Sequence, residues 1–146
     1  MSEPIVRLKK TIPAARREVF EAWLEPETLR RFMCPGEGSS VSRAEVDARV
    51  GGSFLIVMRF GETERPHHGT YRVIERYERL VFSWHSHVAA PNSEVTLLFE
   101  DTGDGRTTLT LEHRGLDDSA IAPHTSGWTK ILEELAALSR PSAAGS

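Results

Sequence analysis

The chain has 146 residues, of which 39% are hydrophobic and 27% charged, and this composition predicts a folded domain rather than a disordered chain. Its 18 basic and 21 acidic side chains give a net charge of −3, which argues against a general affinity for nucleic acid or for an anionic membrane. The single cysteine, Cys34, excludes an intrachain disulfide and a cysteine-rich zinc site. Because the sequence shows neither an apolar run of about 18 residues nor a secretory signal pattern, we expect a cytoplasmic protein.

The first predicted elements are a strand and two short helices. Residues 3–12 alternate loosely between apolar and polar side chains, which is typical of a strand. Pro13 suits the first turn of a following helix, because the missing N–H costs little there. Pro26 ends that helix, and a second short helix is predicted over 26–33. A loop is expected from Pro35 onward.

From about residue 40 the apolar period changes to two residues, which indicates β-strands. The adjacent glycines Gly51 and Gly52 predict a tight hairpin between the first two of these strands. Short connectors between the later strands favour antiparallel neighbours. The predicted strands cover residues 40–49, 53–60, 69–77, 79–87, 93–100 and 106–113.

A long amphipathic helix is predicted over residues 117–138, because apolar side chains recur there at spacings of three and four. Pro141 ends this helix, and a disordered tail is expected over 141–146. Helices and strands are segregated along the chain, which indicates an α+β fold rather than a parallel βαβ fold. We therefore predict a single domain over 1–140, in which a curved antiparallel sheet of six to seven strands covers the long helix.

Six segments, each weak alone, carry a resemblance when they are taken in order. They are PAARREVFEAWLEPETLRRF at 13–32, VDARVGGSF at 46–54, GTYRVIERYERLVFSW at 69–84, SEVTLLFED at 93–101, TTLTLEHRGL at 107–116 and SGWTKILEELAAL at 126–138. Over about residues 5–138 the chain resembles the family of activators of heat-shock-protein-90 ATPase homologues. That family belongs to the START-like, birch-pollen-allergen-like (SRPBCC) superfamily. The resemblance implies the helix-grip fold, with a pocket between the sheet and the C-terminal helix, and it implies no fixed catalytic set.

The predicted binding site is the apolar interior between the sheet and the last helix. Aromatic and methionine side chains there suit a pocket that accepts varied apolar shapes, although a solid core would bury the same residues. Two histidines, His113 and His124, are expected near the start of the helix, where an imidazole could orient a ligand carbonyl or be purely structural. The residues predicted to contact a ligand are Trp23, Phe32, Met33, Phe54, Met58, Tyr71, Phe82, Trp84, His113, His124, Trp128 and Leu132.

No catalytic set is evident in the sequence. His113, His124 and Tyr71 are the candidates for acid–base catalysis, because imidazole and phenol groups can exchange protons with a ligand. A nucleophilic role for Cys34 would need a cationic neighbour that lowers the pKa of the thiol, and an unreactive cysteine is the preferred interpretation.

Metal binding has little support in the sequence. The histidines at 67, 68, 85 and 87, with Glu64, could approach one another across a hairpin, but they lack a fixed ligand spacing. We therefore predict neither a metal nor another cofactor.

The sequence thus predicts a small-molecule binding protein that holds an apolar or amphipathic ligand. Through the resemblance, one alternative is a stress-related co-chaperone or adaptor that contacts a chaperone. The other is a cyclase or hydrolase that uses the pocket histidines. No nucleic acid or membrane partner is expected, and the sequence leaves open whether two chains pair as a homodimer through exposed strand edges.

Overall fold

The computed structural model describes residues 5–36, 38–86 and 93–139 and confirms the α+β helix-grip architecture. One antiparallel sheet of seven strands has the order β1-β7-β6-β5-β4-β3-β2. In chain order the elements are β1 (Ile5–Ile12), α1 (Arg16–Ala22), α2 (Pro26–Phe32), β2 (Ser39–Val46), β3 (Ser53–Phe60), β4 (Thr63–Glu75), β5 (Arg79–Ser83), β6 (Glu94–Asp101), β7 (Thr107–Arg114) and α3 (Asp118–Ser139). The predicted tail over 141–146 lies outside the described residues.

The long helix α3 covers the concave face of the sheet, where it packs against β1 and α2. Its apolar stripe, at spacings of three and four residues, turns Trp128, Ile131, Leu132 and Leu135 into the core. Within the described residues, no helix combines the length and the apolar character needed to cross a bilayer.

The strand β3 is apolar on both faces, so its sequence alone does not determine which face is buried. In the structure Phe54, Ile56 and Met58 are buried, whereas Leu55 and Val57 are only partly covered. Successive side chains of a strand point to opposite faces. The even-numbered residues of β3 therefore face α3 and form the floor of any site under this helix.

The strand β4 begins at Thr63, six residues before the predicted start at 69. Pro66 lies inside it and pairs with Val57 of β3. The backbone of His68 bonds to His85 on the β5 side, and residues two apart in a strand direct their N–H groups to the same side. At Pro66 the missing N–H would therefore face the β5 side, where the described residues provide no strand that could accept a hydrogen bond. A sheet tolerates proline at such an unpaired position.

Two predicted boundaries differ from the structure near turns. The helix α1 begins at Arg16 rather than at Pro13, because Ala15 still has an extended backbone. The connection between β2 and β3 spans 47–52 and is longer than the tight hairpin predicted between strands over 40–49 and 53–60. Gly51, with φ of 87°, donates its N–H to the carbonyl of Tyr71 at 2.8 Å, so this connection is anchored to β4.

Gly69 allows the close approach of three strands, and we expect Gly69→Ala to lower the free energy of unfolding. A Cβ atom at this position would lie 1.9 Å from the carbonyl oxygen of Ser83 and 2.7 Å from Cε2 of Phe54. The backbone would have to shift, and such overpacking costs about 1–3 kcal/mol. Urea denaturation measures the change. Gly36→Ala is the control, because its added Cβ would meet no atom within 4 Å, and equal midpoints for the two variants would contradict the prediction.

Candidate ligand-binding site

An open pocket of about 380 Å³ lies between α3 and the ends of β3, β4 and β5. This volume is in the range of small-molecule sites, about 300–1,000 Å³. The pocket is lined by Pro35, Met58, Phe60, Arg65, His67, Trp84, Pro123, His124, Ser126, Gly127, Trp128 and Ile131.

One wall of the pocket is a face of α3. His124, Gly127, Trp128 and Ile131 line the pocket, and their spacing of three, four and seven residues places them on one side of the helix. Gly127 keeps this wall thin, because a Cβ atom there would lie 3.4 Å from Cβ of Pro35. The missing side chain leaves part of the space that a ligand could fill.

The opposite wall combines apolar and polar side chains from β3 and β4. Met58 pairs with Arg65, and Ile56 pairs with His67. The odd-numbered residues of β4 therefore share the inner face of the sheet with the even-numbered residues of β3. His67 is buried and Arg65 is half-buried, so β4 brings two polar groups to a face that is otherwise apolar.

Aromatic rings form the base of the pocket. The ring centroids of Trp84 and Trp128 lie 4.9 Å apart, and those of His67 and Trp84 lie 5.1 Å apart. Behind them, Trp23 lies 6.4 Å from Trp128. The pocket thus ends on a cluster of large rings that fix one another's positions.

His113 supports this base from behind and does not line the pocket. It is fully buried, and its Nδ1 accepts a hydrogen bond of 3.0 Å from Nε1 of Trp128. Because Nδ1 accepts, the proton of the neutral ring is on Nε2, which donates to the hydroxyl of Ser93. Burial, and to a lesser extent the nearby His124, lowers the pKa of His113 to about 3. A neutral His113 therefore holds the Trp128 indole in place.

His124 is the histidine of α3 that reaches the pocket. It is half-buried, and its ring lies 5.1 Å from that of His113 in an edge-to-face arrangement. Its Nδ1 donates to the carbonyl oxygen of Ala120 at 2.9 Å. In the neutral ring, Nε2 is then the acceptor for a hydrogen bond.

The interior beneath the pocket is almost filled. A void of about 10 Å³ remains there, which is close to the minimum volume for one water molecule. Of the predicted ligand contacts, five line this void and not the open pocket: Trp23, Met33, Phe54, Tyr71 and Phe82. Trp84 borders both spaces, whereas Phe32 and Leu132 are buried in the core and line neither.

The three candidates for acid–base catalysis are not brought together. Tyr71 and His113 occupy one row across the sheet, in which Phe82 of β5 and Val95 of β6 stand between them. Neighbouring strands are about 4.8 Å apart, so the two side chains are not in contact. Burial, and secondarily Asp47, raises the pKa of Tyr71. Of the three, His124 alone lines the open pocket.

Cys34 and the other histidines show no reactive or metal-binding arrangement in the described part of the chain. Burial, followed by the charge of Glu134, raises the pKa of the Cys34 thiol, which disfavours the nucleophilic thiolate. His67 and His68 point to opposite faces of β4. No group of three or more metal-ligating side chains occurs among the described residues, and His87 lies outside them.

Sequence reasoning missed Arg65 as a site residue and assigned His67 only to a metal hypothesis. These residues could have been found from the two-residue periodicity of β4, because Arg65, His67, Gly69 and Tyr71 occupy alternate positions and therefore share the inner face. The predicted strand began at residue 69 and therefore did not include Arg65 and His67. Gly127 was missed because an absent side chain leaves no chemical signature in a sequence.

The sequence of the chain is similar to that of a known protein family. The sequence profile of the family described as Activator of Hsp90 ATPase homolog 1-like protein matches residues 13–140. The chain belongs to this family. The membership confirms the resemblance found in the ordered segments, and it indicates the START/SRPBCC type of fold for an AHSA1-like protein.

Solved structures agree with the AHSA1-like assignment. A protein from Chromobacterium violaceum is 26% identical, with a TM-score of 0.84 over 94% of this chain and 98% of that chain. The AHSA1 protein from Silicibacter pomeroyi is 28% identical, with a TM-score of 0.78 over 92% and 96% of the two chains. An AHSA1-like protein from Aeromonas hydrophila shares the fold at 22% identity, with a TM-score of 0.75 over 90% of each chain. No curated protein matches the sequence.

Proposed function

We propose that this AHSA1-like protein binds a small amphipathic molecule in the open pocket beside α3. The observation that carries the proposal is the contrast between two spaces. The interior retains only about 10 Å³, whereas the open pocket offers about 380 Å³. A ligand would therefore sit at the mouth of the fold, over Trp84 and Trp128, rather than deep between the sheet and the helix.

The chemistry of the lining supports an amphipathic ligand. Met58, Trp84, Trp128 and Ile131 form an apolar floor of the pocket, and Phe60, which is 37% exposed, borders it as well. An apolar body placed there would remove from water the apolar surface that Phe60 still exposes. Each Å² of such surface contributes about 25 cal/mol. His124 and other polar groups at the rim would orient the polar end of the ligand.

Binding without turnover fits these residues better than acid–base catalysis. His113 is held neutral at physiological pH, since burial lowers its pKa to about 3. Tyr71 lines the small interior void beside Phe54 and Phe82 and does not line the open pocket. A catalytic role would therefore rest on His124 alone. A chaperone contact, which the name of the family suggests, has less support here: among the described residues the exposed large apolar side chains, Val50, Phe60 and Leu138, lie on three different parts of the chain.

The test is a titration with N-phenyl-1-naphthylamine, an uncharged dye that becomes fluorescent in apolar sites. We expect saturable binding, with quenching of tryptophan fluorescence as the dye covers Trp84 and Trp128. Gly127→Leu should weaken binding at least about tenfold, or about 1.4 kcal/mol, because the new side chain occupies the pocket. Ala137→Leu, at an exposed position of the same helix, is the control and should bind normally.

Circular dichroism and urea denaturation establish that both variants are folded. The proposal fails if the wild-type protein shows no saturable binding. It also fails if Gly127→Leu binds the dye as tightly as Ala137→Leu does, because the dye would then occupy another surface.

A further inference from the structure

We infer that the ligand is an amphipathic carboxylate whose anionic group is received by Arg65. The inference rests on the proposed function and specifies the class of ligand that the same pocket accepts. It depends on where the chain places its charges around the pocket.

Charged side chains of β4 are sorted between the two faces of the sheet. Arg65 lies on the inner face, beside Met58 of β3, and lines the pocket half-buried. Its neighbour Glu64 is exposed on the outer face, where its carboxylate accepts a hydrogen bond of 2.7 Å from Ser42 Oγ. The outward direction of Glu64 keeps this carboxylate away from the pocket.

The described residues that line the pocket give it a positive bias. They include one permanent cation, Arg65, together with the imidazoles of His67 and His124 and the hydroxyl of Ser126, and they include no carboxylate. The whole chain nevertheless has a net charge of −3. The charged group among the described lining residues is therefore positive, whereas the net charge of the whole chain is negative.

The chemistry of a guanidinium selects a planar anion. Arginine presents five N–H donors in a fixed fork that matches the two oxygens of a carboxylate. Five donors allow Arg65 to hold a ligand carboxylate together with its other interactions. Because Arg65 is half-buried next to Met58 and the aromatic base, its attraction for an anion is screened less than it would be on an open surface.

The size of the pocket limits the apolar body of the ligand. A volume of about 380 Å³ corresponds to roughly a dozen water molecules, which suits a bicyclic aryl group or a medium alkyl chain. Either group, when it carries a carboxylate, gives a ligand of the proposed class. Trp84 and Trp128 can stack on the first and cover the second.

Isothermal titration calorimetry with matched probes tests the inference. The aryl probes are 2-naphthoate and the corresponding alcohol, 2-naphthalenemethanol. The alkyl probes are dodecanoate and dodecanol, used below their aggregation and solubility limits. We expect at least one carboxylate to bind about tenfold to a hundredfold more tightly than its alcohol, as for a hydrogen bond to a charged group. The pair that shows the preference identifies the type of apolar body.

Three variants assign the preference to Arg65. Arg65→Gln should abolish it while leaving the affinity for the alcohol nearly unchanged, and Arg65→Lys should retain part of it, since the charge remains but the planar fork is lost. Arg59→Gln makes the same change of charge on the outer face of the adjacent strand, where Arg59 is exposed and donates to the carbonyl of Gly61. It should bind like the wild type.

The uncharged dye separates the failure of this inference from the failure of the proposed function. If the dye binds but both carboxylates bind no more tightly than their alcohols, the inference is overturned and the proposed function stands. A preference that persists in Arg65→Gln overturns the role of Arg65. If the wild-type protein does not bind the dye, the proposed function fails and the inference, which rests on it, fails with it.

Discussion

Trp128→Ala is expected to lower the free energy of unfolding by about 3–5 kcal/mol, the range found for large buried aromatic residues. Trp128 is 2% exposed and contacts the rings of Trp84 and Trp23. Its removal leaves a cavity at the base of the pocket and removes the hydrogen bond that His113 accepts. Urea denaturation followed by far-UV circular dichroism measures the loss as a lower midpoint.

Trp128→Phe separates the hydrogen bond from the burial of the ring. Phenylalanine keeps most of the aromatic contact but has no N–H, so Nδ1 of the buried His113 is left without its donor. An unsatisfied buried acceptor costs about 1–3 kcal/mol, and we expect this smaller loss for the variant. Wild-type stability in Trp128→Phe would show that the bond to His113 does not stabilise the fold, and a loss as large as that of Trp128→Ala would contradict the expected smaller effect.

Acid is expected to destabilise the protein through His113. Its pKa is lowered to about 3 in the folded state, from an ordinary value of 6.5, first by burial and second by His124. Between these two values the unfolded chain binds a proton that the folded chain does not. Stability is therefore complete above pH 6.5 and falls as the pH decreases, with a slope of about 1.4 kcal/mol per pH unit. At about pH 4.5 the loss from this one residue amounts to about 2–3 kcal/mol.

His113→Asn isolates this effect from the titration of carboxylates. Asparagine does not titrate, and its side-chain oxygen can still accept a hydrogen bond from Trp128. We expect the variant to be less stable than the wild type at neutral pH but to lose less stability between pH 6.5 and about 4.5. His68→Asn makes the same substitution at an exposed position on the outer face, away from Trp128, and is the control for the replacement itself. Parallel stability curves for the wild type and His113→Asn would contradict the prediction.

Much of the fold follows from local patterns in the sequence. The order of helices and strands, the α+β class and the long final helix were predicted, because each depends on the spacing of apolar side chains within one segment. The family was recognisable for a related reason, since its segments follow one another in order along the chain. Of the residues predicted to contact a ligand, Met58, Trp84, His124 and Trp128 line the open pocket, and their contact with a ligand stays a prediction.

The tertiary structure decided everything that depends on two segments meeting. Burial of the even-numbered face of β3 follows from the position of α3, because both faces of this strand are apolar. The inner position of Arg65 follows from the register of β4 on β3. The bond between Trp128 and His113 joins a helix to a strand 15 residues away.

The distinction between a filled interior and an open pocket also required the three-dimensional packing. Large aromatic side chains can either fill a core or line a cavity, and composition does not separate the two outcomes. In this protein Phe54, Tyr71 and Phe82 pack against one another and leave little space, while Gly127 and the loop at Pro35 leave an opening beside α3. The sequence by itself determined the elements and their order. The fit of side chains between elements determined where the open pocket lies, because shape complementarity is a property of surfaces that come together only in the folded chain.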